Sequence, residues 1–206
     1  MRSKFFFLIS IVAIVSCNEK KLPPPKSFRL IIPDTAKSKA AKIIYDGLEV
    51  LSANLSLYRL DKGVDSFEMR LWISSYLEPN NVIILKYAEQ KWIPTKMSFW
   101  FESLRFDSAK IYRLNLKQKD ISSIVDSIEK FDLIGIPMQD EIPNFRDTVP
   151  DAFIYTIEIA TKDYYKVMSY HCPDYYVKEK YNKRITDFLF FIKRRLVGSD
   201  FQMCKP

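Results

Sequence analysis

The chain has 206 residues, 48% of them hydrophobic and 28% charged, with 11 prolines, 4 glycines and a formal net charge of +7. That balance excludes collagen-like, low-complexity and wholly disordered chains. A single domain of this length buries roughly 70% of its extended-chain surface, so its core needs neither a metal nor a set of disulfides.

Arg2 and Lys4 precede an apolar run from Phe5 to Val15 that ends at Ser16 and Cys17. The run falls well short of the roughly 20 residues a helix needs to cross a hydrocarbon core, and its basic-then-apolar order is that of a signal peptide. Ile14-Val15-Ser16-Cys17 resembles the lipobox of bacterial lipoproteins. The resemblance implies a leader of residues 1–16, cleavage before Cys17, lipidation of its sulfur and acylation of the new amine. At about 0.8 kcal/mol per buried methylene, two or more acyl chains make membrane residence effectively permanent. The membrane is therefore a partner, held through the lipid on Cys17.

Residues 17–27 carry charges and the run Pro23-Pro24-Pro25 with no apolar periodicity, the composition of an extended tether rising about 3.1 Å per residue. Asn18 stands where enterobacterial lipoproteins retained in the inner membrane carry aspartate. The resemblance thus implies an outer-membrane place, and because Lys20 and Lys21 follow Glu19 instead of an acidic cluster, a periplasmic face.

Residues 28–206 are expected to form one domain. Ala40, Ile44, Leu48 and Leu51 keep a helical stripe, with Ile43, Gly47 and Val50 beside it, over about 36–52. Phe67, Met69, Leu71 and Ile73 alternate with Glu68, Arg70 and Trp72, the period of a strand with one face on the core. Pro79-Asn80-Asn81 ends it. Val82–Ala88 and Lys91–Phe101 predict a hairpin around Glu89-Gln90, with Pro94 bending or breaking its second arm. Lys110–Leu116 is a further short strand. Asp120 is placed to cap a helix whose apolar positions are Ile121, Ile124, Val125, Ile128 and Phe131. Prolines 137, 143 and 150 mark residues 137–151 as a long surface loop. Ala152–Ala160 and Tyr164–His171 predict a second hairpin. Val177, Tyr181, Ile185, Phe188, Ile192 and Leu196 then mark a long amphipathic helix, its buried face widened by Leu189, Phe190 and Phe191.

This order gives an α+β fold, an antiparallel sheet of hairpins packed by about three helices including the long C-terminal one. Hairpin, loop, hairpin and closing helix behind a short lipobox is similar to uncharacterised lipoproteins of Bacteroidetes, a resemblance that carries no known active residues.

With Cys17 lipidated, Cys172 and Cys204 remain as an even pair in an oxidising compartment, and a disulfide between them closes a loop around the last helix. The alternative is two separate thiols. His171, the single histidine, adjoins Cys172, but neighbours on a strand point to opposite faces, which opposes a thiol–imidazole nucleophile. One histidine and two distant cysteines do not supply a zinc site, so no metal is expected. No G-x-S-x-G elbow or glycine-rich phosphate loop is present, and no cofactor is expected. Asp140-Glu141 reads as a solvated acid pair.

Aromatic residues make up 15% of the chain. Trp72, Trp92 and Trp100 are the candidate ligand-binding residues, Trp72 above all, since the β alternation turns it away from the core unless both sheet faces are covered. Lys178, Lys180, Lys183, Arg184, Lys193, Arg194 and Arg195 crowd the last helix as a solvated face or a contact to an anionic surface. Export excludes nucleic acid. The expected function is a membrane-anchored cell-envelope lipoprotein with a non-catalytic binding or scaffolding domain for an envelope protein or glycan. The alternatives are a glycan or small-ligand binder using exposed aromatics, a toxin-neutralising lipoprotein of immunity type, and an enzyme of unrecognised type.

Overall fold

The computed structural model describes residues 39–75, 79–103, 105–150, 152–196 and 203–204. The leader, Cys17, the tether and the side chain of Ala40 lie outside the described residues. Within them the order is α1 (Lys39–Asn54), β1 (Phe67–Ser74), β2 (Asn80–Ala88), β3 (Lys91–Glu102), β4 (Arg105–Arg113), α2 (Gln118–Lys130), β5 (Ile154–Thr161), β6 (Tyr165–His171) and α3 (Lys180–Arg195). The strands form one antiparallel sheet in the order β4-β3-β2-β1-β5-β6. This is the expected α+β fold, including the long C-terminal helix.

The sheet apart from its edge strand β4 is covered on both faces. Phe67, Met69, Leu71 and Ile73 of β1 join Tyr155, Ile157 and Ile159 of β5 in a core closed by Ile124 and Ile128 of α2 and by Ile185, Phe188, Leu189 and Ile192 of α3. On the opposite face, Trp72, Val82, Ile84, Met97, Phe99, Ala160 and Val167 pack with Leu48 of α1 and with Leu55 and Leu60 just after it. β1 therefore lies between two layers and is buried on both sides, which its period-two pattern does not announce.

Local chemistry explains the elements and corrects several expectations. α3 is capped by Glu179, whose Oε2 accepts from the Tyr181 and Asn182 amides at 2.7 and 2.8 Å, and it ends in Lys193, Arg194 and Arg195, which suit the negative end of its dipole. Asp120 does not cap α2. The cap is Lys117, which contributes no side-chain bond, while Asp120 sits in the first turn near the positive end of the helix dipole. Pro94 does not break β3. Its carbonyl accepts from the Leu114 amide at 3.0 Å, so its missing donor faces a point just past the last paired residue of β4, Arg113. Glu89 and Gln90 both take positive φ, 50° and 61°, which a two-residue hairpin turn requires.

β4 starts five residues before its expected position and stops at Arg113, because an exposed edge strand carries no apolar alternation to mark it. Residues 136–150 are more than a surface loop: Ile136, Met138 and Ile142 are buried, and the segment straps the sheet beside β6. On α3, Phe190 is 41% exposed and lies outside the buried face; on α1, Ile43 and Val50 are exposed as well.

Candidate functional site

The most unusual chemistry in the molecule is a layer of polar side chains sealed between α1 and the sheet. Alternation sends Glu68, Arg70 and Trp72 of β1 to the α1 face, and register sets Arg70 opposite Glu158 of β5. Arg70 is fully buried. Its Nε donates to Glu68 Oε1 at 2.7 Å, one terminal nitrogen donates to the Tyr58 carbonyl at 2.9 Å, and the other reaches Ser52 Oγ at 3.4 Å. The second oxygen of Glu68 accepts from the Tyr58 hydroxyl.

Glu158 is held separately. Trp72 Nε1 donates to one of its oxygens at 2.7 Å and the Tyr165 hydroxyl to the other at 2.8 Å. Burial pushes the Glu158 carboxyl above its ordinary range, against the pull of the Arg70 charge and these two donors. Burial also raises the phenols around it, Tyr45 to about 12 and Tyr165 further, the latter with the Glu158 charge adding to the effect.

A crevice between α1 and the 3-10 turn Leu60–Lys62 leads down to Glu158 and Tyr165 past Glu49, Arg59 and Asp61, but its free volume is about 10 Å³. That is room for roughly one water. At the other end of the layer a cleft of about 480 Å³ opens between Tyr58, Val64, Phe67, Lys86 and Tyr87, with Lys86 Nζ 4.9 Å from the Tyr58 ring centroid. The cleft is of ligand size; the crevice is not.

A second polar cluster secures the strap. Gln139 takes the backbone of His171 as a strand would: its Oε1 accepts from the His171 amide at 2.8 Å and its Nε2 donates to the His171 carbonyl at 3.0 Å and to Asn182 Oδ1 at 2.8 Å. Asp147, farther along the strap, meets His171 Nδ1 at 2.5 Å and accepts from the Tyr176 hydroxyl at 2.7 Å. Partial burial raises the Asp147 carboxyl, but Tyr176, His171 and the Val149 amide outweigh it, and the net shift is downward. The strap thus grips His171 twice, by its backbone and by its ring.

Cys172 and Cys204 are bridged, with Cα atoms 5.4 Å apart. The bridge removes the Cys172 thiol from any pairing with His171. Asp140 and Glu141 are exposed, and Glu141 caps its own turn by accepting from the Met138 amide at 2.9 Å. Of the charges expected along α3, Arg184 pairs with Asp132 at 2.9 Å, Lys183 with Asp187 at 2.7 Å, and Arg195 lies over the Phe191 ring.

The structure does not bring the three tryptophans together. Of the two readings of Trp72, the covered sheet is the one found: the residue is 1% exposed beneath α1, so it is no ligand-binding plate. Trp92 packs edge-on against Phe67 and Tyr87 on the opposite face. Trp100 is half-buried under Lys110, whose Nζ lies 5.6 Å from the ring centroid. Trp92 and Trp100 are also eight positions apart on β3, about 27 Å along the strand. The sequence did hold a sign of the polar layer: a lone Glu158 inside Ile154–Ala160, and an acid and a base two apart on β1, have to be paired if both sheet faces are covered.

Among the described residues, no group of histidine, cysteine, aspartate or glutamate is arranged to hold a metal ion. The chain matches no known family model and no curated relative.

Proposed function

We propose that this protein is a lipid-anchored component of the bacterial cell envelope whose α+β domain acts as a non-catalytic binding or scaffolding module. The carrying observation is Cys17 at the end of Ile14-Val15-Ser16-Cys17, behind two basic residues and an apolar run too short to span a bilayer. One feature of the domain supports the reading: Cys172 and Cys204 pair once Cys17 is set aside, which suits an oxidising compartment.

A structural role suits the polar layer better than turnover does. Both oxygens of Glu158 already accept hydrogen bonds, both oxygens of Glu68 are engaged, and the crevice above Glu158 admits one water. These groups fix α1 against the sheet. Trp72, under α1, offers no stacking plate, so recognition belongs to other surfaces of the domain.

Cell fractionation tests the anchor. In a host that processes lipoproteins, the wild-type protein is expected in the detergent-soluble membrane fraction, and Cys17→Ser is expected to leave that fraction or accumulate with its leader uncleaved. Identical fractionation and mass for the two proteins would remove the basis of the proposal.

A further inference from the structure

β4 closes one side of the sheet and is exposed along its length apart from half-buried Phe106. The Leu114 amide donates to Pro94, so Tyr112 and Lys110, two and four positions before it, also turn their backbone groups toward β3. The N–H and C=O groups of Ala109, Ile111 and Arg113 therefore point away from the sheet, and among the described residues no strand pairs with them. Ile111 is 69% exposed and Tyr112 46%. An open edge with an apolar centre is a template for one more strand.

We propose that the occupant is β4 of a second copy of this chain, paired antiparallel about a twofold axis at Ile111, so that two six-stranded sheets join into one. The residues of the strand select this register. A bulge sits between β3 and β4 at Trp100/Phe101, which leaves Ser108–Arg113 as the regular part of the edge. An axis at Ala109 uses the strand across that bulge and sets Arg105 opposite Arg113 twice. An axis at Lys110 sets Lys110 against its own copy at the closest backbone approach. An axis at Tyr112 shortens the paired stretch to 111–113. Like charges directly opposed destabilise a sheet, and a short overlap makes few bonds.

The axis at Ile111 avoids all three faults. Ile111 meets the partner's Ile111, Ala109 faces the partner's Arg113, and Lys110 faces the partner's Tyr112, with about six new backbone hydrogen bonds. Lys110 already lies over Trp100. The partner's Tyr112 completes an aromatic–cation–aromatic stack on that side of the sheet, once per copy.

The test uses the full chain in a Cys17→Ser background, so its outcome does not depend on lipidation. Sedimentation equilibrium is expected to show a monomer–dimer equilibrium that Ile111→Lys weakens at least tenfold. Register is read by disulfide trapping: an equimolar mixture of Lys110→Cys and Tyr112→Cys proteins is expected to crosslink between the two variants, while neither alone crosslinks to itself. All three substitutions are at exposed positions and leave the fold intact. A chain that stays monomeric at 100 micromolar or so and traps no crosslink overturns the proposal. So does Lys110→Cys bridging to itself or to Ser108→Cys, which reports another register, or an edge that takes up a glutamate-rich extended peptide in preference to its own copy.

Discussion

Arg70 and Glu68 are an ion pair without solvent, and the physics of such pairs is asymmetric. Removing both charges in favour of apolar groups is close to neutral, whereas removing one strands the other in a low-dielectric interior. Arg70→Leu is therefore expected to destabilise the domain by about 3–5 kcal/mol in urea unfolding, and Glu68→Leu/Arg70→Leu to recover most of that loss. A double variant as unstable as the single one would show that the packing of Arg70, not its charge, holds α1 in place.

Glu158 has the opposite sensitivity to pH from most carboxylates. Its folded-state pKa is raised from an ordinary 4.5, chiefly by burial, so its protonated form is the one the fold favours. Its contribution is complete below about pH 4.5 and is lost as pH rises through the folded value. Glu158→Gln is expected to gain stability relative to wild type between pH 4 and 8, read as a widening difference in melting temperature. A constant difference would mean that burial does not shift the Glu158 carboxyl from its unfolded value. Glu158 stands out in sequence as the single charge in an apolar run, whereas Glu68, Arg70 and Trp72 alternate with apolar neighbours as a solvated strand face does; only the helix across that face, 18 residues earlier in the case of Ser52 and Arg70, decides the matter.

Elements with a strong period were legible. α2 and α3 follow from isoleucine and phenylalanine at three- and four-residue spacing, and the β2–β3 hairpin from the polar Glu89-Gln90 break. Two elements were less so. β4 lacks a buried face, so only its end, Lys110–Arg113, falls within the strand expected from sequence, and nothing in the composition of residues 105–109 separates them from a loop. Prolines punctuate residues 137–151 as in a surface loop, yet Met138 and Ile142 sink between Pro137 and Pro143, and Gln139 and Asp147 fasten the segment to His171.

The C-terminal end of the chain is fixed by the bridge between Cys172 and Cys204, 32 residues apart. By the chain-entropy argument a loop of that size contributes about 3–4 kcal/mol through the unfolded state. Cys204→Ser is expected to lose that amount in urea unfolding under oxidising conditions, and the wild type to match it once reduced. Equal stabilities of oxidised and reduced wild type would mean that α3 is held by packing alone.

At the scale of the whole molecule, the proposed parts act in sequence: a lipid at Cys17 fixes the chain to a leaflet, a proline-rich tether sets the domain off from it, and the domain presents an open sheet edge. Confinement to a surface raises the local concentration of copies, which favours self-pairing through β4 without any new contact. The backbone groups that this edge turns away from the sheet are those of Ala109, Ile111 and Arg113.

The place in the envelope turns on the chemistry of one sulfur. Mass spectrometry of the N-terminal peptide from protein made in its native host tests it most directly. The expected peptide begins at Cys17, with a diacylglycerol thioether on the sulfur and an acyl group on the amine. A peptide that carries residues 1–16 intact and an unmodified Cys17 would contradict it.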